Sequence, residues 1–235
     1  MEAYTYLLVN LACLSIPFIA SFYSKHAFYK DWKPFFKANI IVTLLFVVWD
    51  AIFTNLGIWG FNKTYLVGIH IGNLPLEEVL FFICIPYACV FSYFAFQYFF
   101  KSNFLQKSQT IISYFLITML LVVGIFNYGK LYTAITFFVT SFYLIYLVYK
   151  KTDLSLHYLS YLFVMPFFFL SNGVLTGSFL VEPIVWYNDA ENLGIRISNI
   201  PIEDSVYGLL LIFMNIEFYN YFKQKNKNHS VGVVF

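Results

Sequence analysis

Apolar positions along this chain gather into long blocks, and polar positions gather into the turns between them. A helix needs about 20 apolar residues to cross the hydrocarbon of a bilayer. The blocks at 4–22, 39–56, 79–100, 111–126, 131–149, 158–175 and 205–222 are therefore predicted to be seven spans. Lysines mark alternate turns. Lys25, Lys30, Lys33 and Lys37 follow the first block, Lys101 and Lys107 the third, Lys150 and Lys151 the fifth, and Lys223, Lys225 and Lys227 the seventh. The other side holds only Lys63, Lys130 and Arg196. Because basic loops stay in the cytoplasm, this asymmetry predicts an N-terminus outside and a cytoplasmic C-terminus. The first block is preceded by Glu2 and followed by the lysines, so it is expected to be an anchor and not a cleaved signal peptide.

Composition strengthens the reading. With 60% hydrophobic and 11% charged residues and a mean hydropathy of +0.72, the chain is expected to be an all-α integral membrane protein whose main solvent is lipid. A net charge of +2, with the basic residues at helix ends, leaves no footprint for nucleic acid. Cys13, Cys84 and Cys89 lie inside apolar blocks without CxxC spacing and are read as buried thiols. His26, His157 and His229 accompany the basic turns, no histidine pair has metal-ligand spacing, and no G-x-G-x-x-G occurs, so neither a metal nor a dinucleotide cofactor is expected.

One segment is written twice. Gly68-Ile69-His70-Ile71-Gly72-Asn73-Leu74-Pro75-Leu76-Glu77-Glu78 returns as Gly194-Ile195-Arg196-Ile197-Ser198-Asn199-Ile200-Pro201-Ile202-Glu203-Asp204 at one constant offset. The repeat divides the chain into a first three-span unit at 1–104, a linking span at 105–129 and a second three-span unit at 130–235. Three spans reverse the chain, so a fourth must intervene before the second unit can insert the same way up. The result is two parallel units related by an axis along the membrane normal, with both acidic motifs at one depth.

Pro75 and Pro201 suit the first turn of a helix, Asn73 and Asn199 suit caps, and carboxylates there complement the helix dipole. Capping alone does not account for both members of each acid pair, since neighbouring helical residues point about 100° apart. Carboxylates at membrane depth are costly and are functional candidates by default. Glu77, Glu78, Glu203 and Asp204 are therefore the candidate catalytic residues. Two carboxyls held close in apolar surroundings are expected to keep a proton between them, although a helix N-terminus opposes this. Such an acid can protonate an alkene, a second carboxylate can collect the proton afterwards, and aromatic faces can stabilise the cation between those steps. Asp50, whose counterpart is read as Asn172, is a supporting candidate. His70 and Arg196, at matching places before the motifs, could tune the acids. Glu217 is expected to snorkel to the cytoplasmic interface, and Trp59 and Trp186 to sit in the interfacial belt.

The P-L-E-E and P-I-E-D motifs, the three-plus-one-plus-three span plan and the chain length together resemble the membrane-integral lycopene cyclases. These comprise the two-subunit bacterial β-cyclases, here fused by the fourth span, and the cyclase half of the fungal cyclase–phytoene synthase. The resemblance implies a cofactor-free, redox-neutral isomerase of the cell membrane. It would protonate a ψ-end of lycopene, close a six-membered ring and release a ring proton, giving β-carotene after both ends have reacted. It also implies lycopene and the lipid bilayer as partners, with association with other carotenoid-pathway enzymes. Rival readings begin from the same acids. A carotenoid hydratase or an ε- or γ-cyclase shares the protonation step. A proton-coupled transporter would place carboxyls at midplane beside Gly/Pro breaks, and a retinal photoreceptor would need a lysine in the last span, where 205–222 has none.

Overall fold

The computed structural model describes residues 2–100 and 103–231. Lys101 and the side chains of Lys227 and His229, counted above among the basic turns, lie outside the described residues. The seven blocks are realised as α1 (Thr5–Ala20), α2 (Trp32–Asn55), α3 (Leu76–Phe99), α4 (Gln109–Phe126), α5 (Leu131–Tyr149), α6 (Ser155–Leu175) and α7 (Ile202–Val231). The segments containing α1 to α6 are long and apolar enough to cross a bilayer by length and composition, which makes this a multi-pass membrane protein. α7 does not meet that measure: it opens on Glu203 and Asp204, and Asn215, Glu217 and Asn220 interrupt its apolar run. α2 begins well before the block at 39–56, because Lys33 and Lys37 fall one turn apart on its exposed side and Pro34 is tolerated in a first turn.

The two units interlock. In each, the first helix packs on the third, α1 on α3 and α5 on α7. Each middle helix also crosses to the other unit, α2 running along α7 and α6 along α3, while α3 and α7 touch directly. α4 lies against α5.

Short strands join the units at one end. β1 (Trp59–Phe61) pairs antiparallel with β4 (Val185–Tyr187) in the register Trp59↔Tyr187, Gly60↔Trp186 and Phe61↔Val185. Gly60 and Trp186 are separated by the same offset as the two motifs, so this ribbon pairs equivalent strands about its own midpoint and marks a local twofold. Glycine is required at Gly60, where a Cβ would lie 2.3 Å from the Trp186 ring.

The motif itself is a hairpin followed by a helix. β2 (His70–Ile71) pairs with β3 (Leu74–Pro75), and β5 (Arg196–Ile197) with β6 (Ile200–Pro201). Each hairpin turns on two residues, the first of which has positive φ: Gly72 at 64° and Ser198 at 60°. This alters the expected capping. Pro75 and Pro201 close the strands just ahead of the helices, and the Asn73 and Asn199 side chains do not cap. They donate instead to carbonyls near the ends of the middle helices, Asn73 to Ala51 O at 2.8 Å and Asn199 to Gly173 O at 3.2 Å. A two-residue hairpin turn leaves Asn73 and Asn199 facing those helix ends, not the N-termini that follow.

Within α3, Pro86 has no N–H to give the carbonyl one turn back, that of Phe82. Two α2 side chains supply the missing donors, Asn39 Nδ2 at 2.9 Å and Thr43 Oγ1 at 2.9 Å. Asn39 also reaches Asn215 of α7 at 3.1 Å. In lipid an unpaired carbonyl is costly, so this repair fixes the depth at which α2 meets both third helices.

Candidate functional site

Starting α3 at Leu76 and α7 at Ile202 puts both acid pairs in a first turn, under the β1–β4 ribbon and against the neighbouring helices. All four are buried: Glu77 is 1% exposed, Glu78 8%, Glu203 0% and Asp204 6%. The pairs divide by position. The first acid of each holds the loop leading into its own hairpin. Glu77 Oε1 accepts from Val67 N–H at 2.6 Å, and Glu203 Oε1 from Leu193 N–H at 2.7 Å, at equivalent places in the two repeats. Thr133 Oγ1 adds a second bond to Glu203 Oε1 at 2.6 Å. Oε2 of both residues is buried without a hydrogen-bond partner among the described residues.

The second acids point elsewhere. Glu78 Oε2 accepts from the Tyr6 hydroxyl of α1 at 2.5 Å, and Asp204 Oδ1 from the Tyr132 hydroxyl of α5 at 2.5 Å. Tyr6 and Tyr132 are themselves related by the motif offset, so the pairing belongs to the repeat. Asp204 Oδ2 accepts two further bonds, from Asn172 Nδ2 at 2.7 Å and the Tyr187 hydroxyl at 2.8 Å. The equivalent of Tyr187 is Phe61, which has no hydroxyl to offer Glu78. The two halves are thus alike in plan and unlike in hydrogen bonding.

A third carboxyl joins them. Asp50 of α2 is buried, takes Trp59 Nε1–H on Oδ1 at 2.5 Å, and leaves Oδ2 without a partner among the described residues. Its place matches that of Asn172, because Asn73 and Asn199 bond the carbonyls of the next residues, Ala51 and Gly173. Glu78 lies within electrostatic reach of both Asp50 and Asp204, and all three lie within reach of the buried Tyr207 hydroxyl. Aromatic rings surround this group. Trp59 lies 5.1 Å from Tyr132 and 4.9 Å from Phe53 between ring centroids, Trp49 lies 5.3 Å from Tyr207, and Tyr132 stacks on Tyr187 at 5.9 Å. A cleft of about 230 Å³ opens beside Trp59, bounded by Gly60, His70, Asn73 and Trp186.

His70 and Arg196 do not touch the acids. The His70 ring is exposed with Nδ1 near Gly68 O at 3.2 Å, and Arg196 gives its guanidinium to Asp189 at 2.5 Å and Asn199 O at 2.8 Å. In the loop, the hydrogen bond from Arg196 holds the Asp189 carboxyl below the usual carboxylate range. Trp59, expected in the interfacial belt, is buried against Asp50, whereas Trp186 is 44% exposed. Glu217 pairs with the buried His157 at 2.9 Å between α7 and α6, so it is tied within the bundle although partly open to its surface. Tyr6, Tyr132, Tyr187 and Tyr207 escaped the sequence reading. For Tyr6 and Tyr132 the signal was present in their shared offset; for Tyr187 and Tyr207, whose equivalents are Phe61 and Phe81, it was not.

The fold and site together define a multi-pass membrane protein that draws one buried carboxyl from each of two repeats into an aromatic enclosure. The lycopene cyclase family model matches residues 3–96 and again 129–222, most of the chain, and this protein belongs to that family of cyclising enzymes. The two matched segments carry the same offset as the motifs and leave α4 between them. Comparison with curated proteins and with solved structures gives no match.

Proposed function

We propose that this chain is a lycopene β-cyclase, an isomerase that converts the ψ-ends of lycopene to β-rings, by way of γ-carotene to β-carotene. The observation that carries the proposal is the aromatic bridge between the acids: Trp59, which donates to Asp50, lies 5.1 Å from Tyr132, which donates to Asp204. In the reaction, a carboxylic acid of this group gives its hydrogen to the terminal double bond of a ψ-end. The adjacent tertiary carbon becomes cationic, the next double bond attacks it and closes the ring, and a ring hydrogen leaves as a proton to a carboxylate. One proton is taken and one returned, so atoms and charge balance without a redox cofactor. Trp59, Tyr132 and Tyr207 present aromatic faces where the cation forms. Asp204, with three hydrogen-bond donors, suits the proton acceptor; Asp50 and Glu78, with one each, suit the donor. Glu77 and Glu203 hold the two loops in place and position the second acids.

The proposal includes α7 as a seventh crossing, an outside N-terminus and a cytoplasmic C-terminus, in the cell membrane. It divides the chain into repeats at 1–104 and 130–235 joined by a linker at 105–129, with partners among other carotenoid-pathway enzymes. Support for orientation comes from the lysine asymmetry. The test is expression in a lycopene-accumulating bacterium with pigments read by chromatography. Conversion to a bicyclic product with β-rings is expected. Unchanged lycopene, with the protein verified in the membrane, overturns the proposal; a monocyclic end point or ε-rings would correct its finer terms.

A further inference from the structure

At the opposite end of the bundle from the acids, a cavity of about 610 Å³ lies between the α1–α2 connection and the ends of α3 and α7. Its volume falls within the ordinary range for ligand pockets. Lys25 and Lys30 line it from the connection and Lys223 from α7, beside Asp31, Asn220 and the apolar face of Phe94. Lys223 is committed, bonding Asp31 at 2.7 Å and the Tyr219 hydroxyl at 2.9 Å. The Lys25 and Lys30 ammonium groups have no acidic or hydrogen-bonding partner among the described residues, so the cavity keeps a positive excess. The exposed rings of Phe22, Tyr23, Tyr29, Tyr98 and Phe99 lie around this end. Such aromatics mark the headgroup level of a bilayer.

The geometry points to a phosphate-binding site for the headgroup of an anionic phospholipid, with Lys25 and Lys30 as the charged contacts. Three observations carry it: a concave site of ligand size, two lysines without counter-ions inside it, and an aromatic girdle at the same level. A headgroup phosphate there would neutralise the lysines while its acyl chains stay in the bilayer. Basic pockets at helix ends bind anionic lipid by this combination of charge and depth. The inference requires only that the chain resides in a membrane and is independent of the proposed reaction.

The test uses the full chain in nanodiscs containing phosphatidylglycerol and phosphatidylcholine, released and weighed by native mass spectrometry. Retained phosphatidylglycerol in excess of its share is expected. Lys25→Gln with Lys30→Gln should weaken that retention by about fivefold per lysine removed, while Lys107→Gln leaves it unchanged. Competition by millimolar glycerol 3-phosphate would reassign the phosphate to a soluble source; its failure to compete supports the lipid. Equal retention of the two lipids, or a Lys25/Lys30 variant that melts and binds like the parent, overturns the inference. A variant with a lowered melting point is replaced by Lys25→Arg/Lys30→Arg, which must restore both folding and retention.

Discussion

Replacing Glu77 and Glu203 separately by Ala and by Gln separates the positioning of the loops from the exchange of protons. Glu203→Ala removes the acceptor of two donors, the half-buried Leu193 N–H and the buried Thr133 hydroxyl, whereas Glu77→Ala removes the acceptor of one, the half-buried Val67 N–H. An orphaned donor shut off from water costs about 1–3 kcal/mol, the half-buried ones falling toward the lower end. The expected losses are then about 2–6 kcal/mol for Glu203→Ala and about 1–3 kcal/mol for Glu77→Ala, before any cavity contribution. At roughly 2–4 °C per kcal/mol for a chain of this size, Glu203→Ala should melt about twice as far below the parent as Glu77→Ala. Gln keeps the shape and the Oε1 acceptor and puts its amide where Oε2 already lacked a partner, so both Gln variants should melt closer to the parent than their Ala counterparts and retain measurable conversion. The assay is thermal melting of detergent-solubilised protein, followed as loss of its monodisperse chromatographic peak, alongside pigment analysis in lycopene-accumulating cells. If either Ala variant melts with the parent, the loop-holding role is refuted. If Glu77→Gln or Glu203→Gln folds normally yet converts nothing, those carboxyls exchange the proton themselves.

Glu78→Gln, Asp204→Asn and Asp50→Asn should each abolish conversion with protein retained in the membrane; full activity in all three returns the acids to a structural role. Tyr132→Phe deletes a hydroxyl on the charged acceptor Asp204, a bond worth about 1.5–3 kcal/mol, and should slow conversion by roughly 10- to 150-fold in timed pigment assays; Tyr6→Phe, on the protonated Glu78, removes a bond worth about 0.5–1.5 kcal/mol and should slow it by roughly 2- to 12-fold. Asn39→Ala should lower the melting point of the parent by more than it lowers that of a Pro86→Ala background, where the Phe82 carbonyl regains a helix N–H; equal losses in a double-mutant cycle refute the repair described for α3. Asp189→Asn should change stability by no more than about 1 kcal/mol, because the Arg196–Asp189 pair is exposed. Since its carboxyl is held below the usual range, that small contribution is present above about pH 4 and is lost as the folded group protonates below it. A larger loss, or one near neutral pH, refutes this assignment.

Helix content and the repeat were legible because lipid makes apolar block length a strong signal and because Gly, Pro and Glu recur at a fixed spacing. Burial of both acid pairs was expected from carboxylates set at membrane depth, and all four are buried. Asp50 and Asn172 were paired from sequence, and the asparagine-marked carbonyls of the residues that follow them, Ala51 and Gly173, place them alike. What stayed hidden was tertiary. Trp59 looked like a belt residue until β1 paired with β4 and turned it toward Asp50. The division of each acid pair into a loop holder and an inward group depends on where Val67 and Leu193 return, ten positions upstream, which no local periodicity encodes.

The crossing of middle helices bears on how the molecule is made. α2 leaves the ribosome well before α7, which it lies along. During synthesis the Asn39 amide hydrogen that Asn215 accepts, and part of an apolar flank, must wait in lipid, or against a temporary neighbour, until α7 has been threaded. Cutting the gene between the repeats would leave each half with an unsatisfied flank, so two separate pieces would be driven to find each other.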